Sequence, residues 1–183
     1  WDDQVVPDAR LTDLVESYRT QLGELATRAV ASAPQAVTRT PGPDGPNELG
    51  SLVAESQRRA AHADIAFVPP DWVRSDLAAG ELTYADLFEV QPFGNDVVRM
   101  RMSGRDLQAV LDEQHAPGQP ELIAAGLPAR IDPDASYVVA VSEFLAAGGE
   151  GFTAFRRGTD RESVGKDIDA LVNLFVERYP VIR

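Results

Sequence analysis

Apolar residues recur at three- and four-residue spacing through Leu11, Leu14, Val15, Tyr18, Leu22, Leu25, Ala26 and Ala29, which places them on one face of a helix. The spacing predicts an amphipathic helix from about Asp8 to Val30, with Pro7 before it and Pro34 beyond it as punctuation. Residues 1–7 read as an extended lead-in. Val37 to Thr40 predicts a short strand, and the run Pro41 to Pro46 (PGPDGP) a loop. Asn47 is placed to cap a helix carrying Leu49, Leu52, Val53 and Ala60 on one side. Asp64 to Val68 predicts a buried strand, broken by Pro69-Pro70-Asp71-Trp72.

The stretch from Tyr84 to Leu111 is the most sharply patterned. Thr83 and Asp86 have capping-box spacing at the start of a short helix. Gln91-Pro92-Phe93-Gly94-Asn95 is a turn by composition. Val98, Met100 and Met102 alternate with Arg99, Arg101 and Ser103, as in a half-buried strand. Ser103 and Asp106 repeat the capping spacing, and Leu107, Val110 and Leu111 follow at helical intervals. Ala116 to Pro120 reads as a loop, and residues 122–133 carry no clear period. Tyr137 to Val141 predicts an interior strand. Ala147 to Phe152 predicts a tight turn with at least one of Gly148, Gly149 and Gly151 at positive φ. Asp167 is placed to cap a last helix bearing Ile168, Leu171, Val172, Leu174, Phe175 and Val176. Helices and strands mix without a βαβ rhythm, so the expected class is α+β, with mixed β-sheets flanked by helices.

Composition narrows the function classes. At 183 residues and 44% apolar content, the chain can bury the core of one domain. Seventeen basic against 29 acidic residues give a net charge of −12. Nucleic acid and anionic membrane surfaces are therefore poor partners. No apolar run approaches the roughly 18 residues of a membrane span. There is no cysteine, hence no disulfide, thiolate metal ligand or thiol nucleophile. The chain begins at Trp1 without a signal peptide and reads as a processed product or excised domain. His62 and His115 are the only histidines, and neither has a metal-ligand or base-nucleophile neighbour. No catalytic residue and no metal ligand is assigned.

Two aromatics stand near strand ends in glycine-rich settings: Phe93 in Gln91–Asn95, and Phe144 in Ser142-Glu143-Phe144-Leu145 ahead of the glycine turn. They could plug the core, or clamp a planar ring by stacking. Their surroundings carry a family resemblance. Leu82-Thr83-Tyr84-Ala85-Asp86-Leu87, then Gln91-Pro92-Phe93-Gly94-Asn95, then Met102-Ser103-Gly104, together with Gly148-Gly149-Glu150-Gly151-Phe152, resemble the C-terminal domain of the 5'-nucleotidase and UDP-sugar hydrolase family. The resemblance runs from about Val37 to Leu171. It implies a purine held between Phe93 and Phe144, ribose hydroxyls held by Glu150, a further contact from Asn95, and phosphate or carboxylate groups faced by Arg74 and Arg39. Residues 1–34 would then be lead-in and linker helix, near a hinge, and 35–183 the domain.

The departures are local. Where the family has Asn-Pro-Gly-Gly-Ile-Arg, this chain has Pro69-Pro70-Asp71-Trp72-Val73-Arg74. Glu143 replaces an Asn, the family's GGDG is GGEG, and the segment between Glu113 and Tyr137 is short. The resemblance implies a nucleoside or nucleotide recognition domain of a phosphohydrolase, not catalytic alone. Binding is expected to be weak, and divalent metal ions are expected only in a separate metallophosphatase domain in cis. It further implies an extracellular or cell-envelope setting. The alternative is a diverged structural or protein-contact module that no longer binds nucleotide; an open slot between Phe93 and Phe144 would favour recognition, and rings packed on Trp72 would favour the module.

Overall fold

The computed structural model describes residues 8–40 and 47–181, and for residues 18–22 and 25 the backbone alone. The expected lead-in at 1–7 and the expected loop at 41–46 lie outside the described residues. In chain order the elements are α1 (Ala9–Ala26), β1 (Ala29–Ala33), α2 (Glu48–Ala60), β2 (Ile65–Val68), a 3-10 turn (Pro70–Trp72), β3 (Gly80–Thr83), α3 (Tyr84–Val90), β4 (Asp96–Ser103), α4 (Gly104–Glu113), β5 (Ile123–Ala125), β6 (Ser136–Ser142), α5 (Glu143–Ala146), two more 3-10 turns (Gly149–Gly151 and Thr153–Arg157), β7 (Thr159–Lys166) and α6 (Asp167–Arg178).

Five strands form a mixed sheet in the order β5-β2-β6-β4-β7. The β2–β6 pair is parallel, and the other pairs are antiparallel. Because side chains alternate across a strand, Ile65, Phe67, Met100, Met102, Val139 and Val141 share one core with Leu107 and Val110 of α4 and with Phe152 and Phe155. The opposite face carries small residues, Ala66 and Ala140, beside Val97. A second core joins α2, α3, α6, β1 and β3 through Leu49, Val53, Val30, Leu82, Leu87, Leu171 and Phe175. The architecture is the expected α+β arrangement of sheets flanked by helices.

Three boundaries differ from expectation. The first helix stops at Ala26 rather than Val30, because Ala29–Ala33 pairs antiparallel with β3 and buries Val30 and Ala31. Tertiary pairing outweighs a helical period that the sequence continues. The strand expected at 37–40 reduces to one bridge, Val37 to Leu77. The last helix opens at Asp167 itself, with Lys166 in the capping position.

Asn47, Thr83 and Ser103 cap their helices as expected. Thr83 and Asp86 make a reciprocal capping box. Ser103 Oγ accepts from the Asp106 amide and donates to its carboxylate at 2.6 Å, which lowers the Asp106 pKa. These caps fix where α3 and α4 begin, and so where the turn at Gln91–Asn95 and the strand β4 fall.

Candidate functional site

The turn after α3 presents Phe93, and the one-turn helix α5 after β6 presents Phe144. Both rings are about half exposed, at 47% and 48%. Neither plugs the core. The structure brings them together through a third ring. The indole of Trp72 lies 5.5 Å from Phe93 at an interplanar angle of 44°, and 5.8 Å from Phe144 at 39°. These are tilted contacts at ordinary aromatic distances. Trp72 itself is half-buried and leans against the core of α2, α3 and α6. The place that sequence reasoning gave to a planar ligand is thus shared with a side chain of the chain itself.

The glycine turn has the conformation that its composition predicts. Gly148 has φ +84° and Gly151 φ +81°. Glu150 also lies in the left-handed region, at φ +52° and ψ +17°, which costs a non-glycine residue about 1–2 kcal/mol. Gly149 is needed for a different reason: a Cβ there would stand 2.2 Å from the Phe144 ring. The absence of a side chain lets Phe144 lie against the turn backbone. Arg156 closes the other side, donating Nε–H to the Ala147 carbonyl at 2.8 Å. The carboxylate of Glu150 is exposed beside this arrangement.

Asn95 is engaged inward. Its carbonyl accepts from the Asp167 amide at 3.0 Å, and its backbone and side chain stand close enough to favour the charged Asp167 carboxylate. Asp167 is buried, and burial pushes its pKa above the usual carboxylate range against those contacts. Next to it, Lys166 and Asp96 pair at 2.8 Å, which raises the lysine pKa. The Phe93 turn is therefore stitched to the start of α6.

Arg39 and Arg74 line one open cleft of about 1100 Å³, with Asn47, Val73, Leu122, Ile123 and Leu127. Their guanidinium groups bond backbone around Trp72. Arg39 Nη1 donates to the carbonyls of Arg74 (3.0 Å) and Val73 (3.5 Å), and its Nε stands 3.7 Å from Asp76. Arg74 Nη1 donates to the Asp71 carbonyl at 3.2 Å. Sequence reasoning flagged Trp72 as a departure and set packing of both rings on it, against an open slot, as the sign of a contact module; the rings do pack on it. A large aromatic beside two prolines and before an arginine was the available signal.

No metal centre fits these residues. Among the described residues, no three His, Asp or Glu side chains converge as a metal site needs. His62 lines a separate cleft with Arg58, Arg59 and Glu177.

A mixed sheet with helices on its flanks carries exposed aromatics on two strand-end loops beside a left-handed glycine turn. The family described as 5'-nucleotidase, C-terminal domain, matches residues 21–131, and the chain belongs to it. It is 26% identical over 162 residues to the endonuclease YhcR of Bacillus subtilis, covering 78% of this chain and 13% of that protein. It is 24% identical over 213 residues to the cell wall protein Lmo0130 of Listeria monocytogenes, covering 92% and 27%. The solved 5'-nucleotidase precursor of Thermus thermophilus superposes with a TM-score of 0.76 at 22% identity, over 95% of this chain and 41% of that one. The chain spans less than half the length of each.

Proposed function

We propose that the chain is the nucleoside- or nucleotide-recognition domain of a 5'-nucleotidase-like phosphohydrolase, and that it does no chemistry alone. Divalent metal ions and the hydrolytic step belong, on this reading, to a metallophosphatase domain in cis. The setting is extracellular or the cell envelope; the relative described as a cell wall protein supports this. The observation that carries the reading is the placing of Phe93 and Phe144, two half-exposed rings from separate turns, against one indole, Trp72, with Phe144 also against the left-handed Gly148–Gly151 turn. Glu150 offers a carboxylate to ribose hydroxyls, and Arg39 and Arg74 offer guanidinium groups to an anion.

Two stacking faces would contribute roughly 2–5 kcal/mol. The Asn side chains that the family pattern has are Pro69 and Glu143 here, and an unpaired base edge costs about 1–3 kcal/mol per group on burial. Adenosine is expected to bind at about 1 mM, which corresponds to −4.1 kcal/mol. The test is an NMR titration with adenosine and AMP, following the amides of Gly94, Asn95 and Gly148 to Gly151. Shifts confined to these amides and abolished in Phe93→Ala and Phe144→Ala uphold recognition.

The second reading, a contact module that no longer binds nucleotide, is favoured by one observation: both rings already rest on Trp72. Silence of those amides at saturating ligand selects it.

A further inference from the structure

We propose that Trp72 is a built-in occupant of the aromatic site. In the free domain its indole takes the ring contacts that a planar ligand would make with Phe93 and Phe144, and the ligand binds by displacing it. The proposal rests on the recognition reading above and adds the device that sets its affinity and selectivity.

The geometry supplies both halves of such a device. Trp72 makes ring contacts at 5.5 and 5.8 Å with the two phenyl groups at once, so a ligand stacking on either face competes with it. Phe93 and Phe144 are each half exposed, so the site opens to solvent once the indole leaves.

The segment carrying Trp72 is built to move between firm ends. Val68 before it and Val73 after it are both 1% exposed, and the Arg74 amide bonds the Val90 carbonyl at 2.9 Å. Between these ends the hold is light. Pro69 and Pro70 have no N–H to donate. The Trp72 and Val73 amides reach the Pro69 and Pro70 carbonyls at 3.2 and 3.3 Å, near the long limit for such bonds. The remaining ties are the guanidinium bonds of Arg74 to Asp71, and of Arg39 to Val73 and Arg74, with the packing of the half-buried indole against the core of α2, α3 and α6.

A tethered competitor lowers apparent affinity by the fraction of time the site is open, and a short tether gives it a high effective concentration. Small or weakly stacking rings lose that competition first, so Trp72 would make the site select extended planar bases.

The test uses adenosine as the probe. The chain has two tryptophans, Trp1 and Trp72, so Trp1→Phe leaves Trp72 as the sole indole. Adenosine should shift its emission to the red and make it more accessible to acrylamide. In Trp72→Ala the dissociation constant, read from the amides of Gly94, Asn95 and Gly148 to Gly151, should fall at least tenfold. Adding Phe93→Ala should cancel the gain. Trp72→Leu keeps apolar bulk against the core and should act in the same direction. If the wild type binds in a Phe93-dependent way and both Trp72 variants bind equally or more weakly, Trp72 is a stacking face. The displacement proposal then falls while recognition stands. If no version of the chain moves those amides at saturating adenosine, recognition fails and the proposal with it.

Discussion

Glu150 sits in a conformation that glycine adopts without penalty, between two glycines, one of which is itself left-handed. Glu150→Gly should therefore raise the unfolding free energy by about 1 kcal/mol, measured by urea denaturation. If recognition holds, the same variant should lose ribose discrimination, so that adenosine and adenine bind alike. Stability lost on that change would mean the carboxylate has a structural partner that outweighs the strain. Asp167 gives a second residue-scale expectation. Its folded pKa is raised by burial, so the folded chain holds this proton more tightly than the unfolded one. The associated stability is present below the unfolded carboxylate pKa, about 3.9, and is lost as pH rises through the folded value. Asp106 works in the opposite sense: its pKa is lowered, chiefly by the Ser103 hydroxyl, so its contribution is lost as pH falls. Comparing wild type with Asp167→Asn by urea unfolding between pH 3 and pH 7 isolates the first effect. The wild type should lose stability relative to the variant as pH rises, and a parallel pair of curves would refute it.

At the scale of elements, α4 shows how a cap and a glycine act together. Ser103 caps it, and Gly104 opens it against the backbone of Asp132 and Pro133, where a Cβ would stand 1.9 Å from the Asp132 carbonyl oxygen. Backbone cannot yield as a flexible side chain can. Gly104→Ala should destabilise the fold by roughly 3 kcal/mol, seen as a drop in the thermal midpoint; a loss under 1 kcal/mol would show that the segment shifts freely. The elements legible from sequence were those whose pattern is local. The Thr83–Asp86 box, the β4 alternation and the Gly148–Gly151 turn need no partner to be recognised. β7 was not legible: Thr159–Lys166 is exposed at seven of its eight positions, and only pairing with β4 makes it a strand. β5, with three half-buried residues, left 122–133 without a period for the same reason. In the site, the rings of Phe93 and Phe144 were readable from their turns. The position of Trp72 could be posed from sequence only as a choice, open slot or packed rings, since it depends on where three separate loops meet. Asn95 was readable as a loop residue but not as the partner of Asp167.

For the whole molecule, the two cores and the caps describe a body with half-exposed aromatic loops and no convergent set of metal donors among the described residues. The chain by itself should therefore not hydrolyse AMP or an aryl phosphate when Mn²⁺, Co²⁺ or Zn²⁺ is supplied. Colorimetric phosphate release is the measurement. Metal-dependent turnover that survives repurification and disappears in His62→Ala or His115→Ala would overturn the proposed division of labour. The exposed apolar residues of α1, Leu11, Leu14 and Val15, contribute little to the described cores, so trimming them to Ser should change the thermal midpoint by no more than a degree or two.

One hydrogen bond has a topological consequence. The Ser32 amide in β1 donates to the Tyr179 carbonyl just beyond α6, at 2.9 Å. The first strand and the last described helix thus meet at a single spot, and the backbone between them traces a nearly closed ring. A ring has no privileged starting point. Residue 28 joined to residue 180 through a few glycines, with the chain reopened in the 116–120 loop, should fold to the same body in reordered sequence, as circular dichroism and amide dispersion would show. Failure of that rearranged chain would mean that β1 must be laid down before β3 is made, a constraint on the order of assembly rather than on the final contacts.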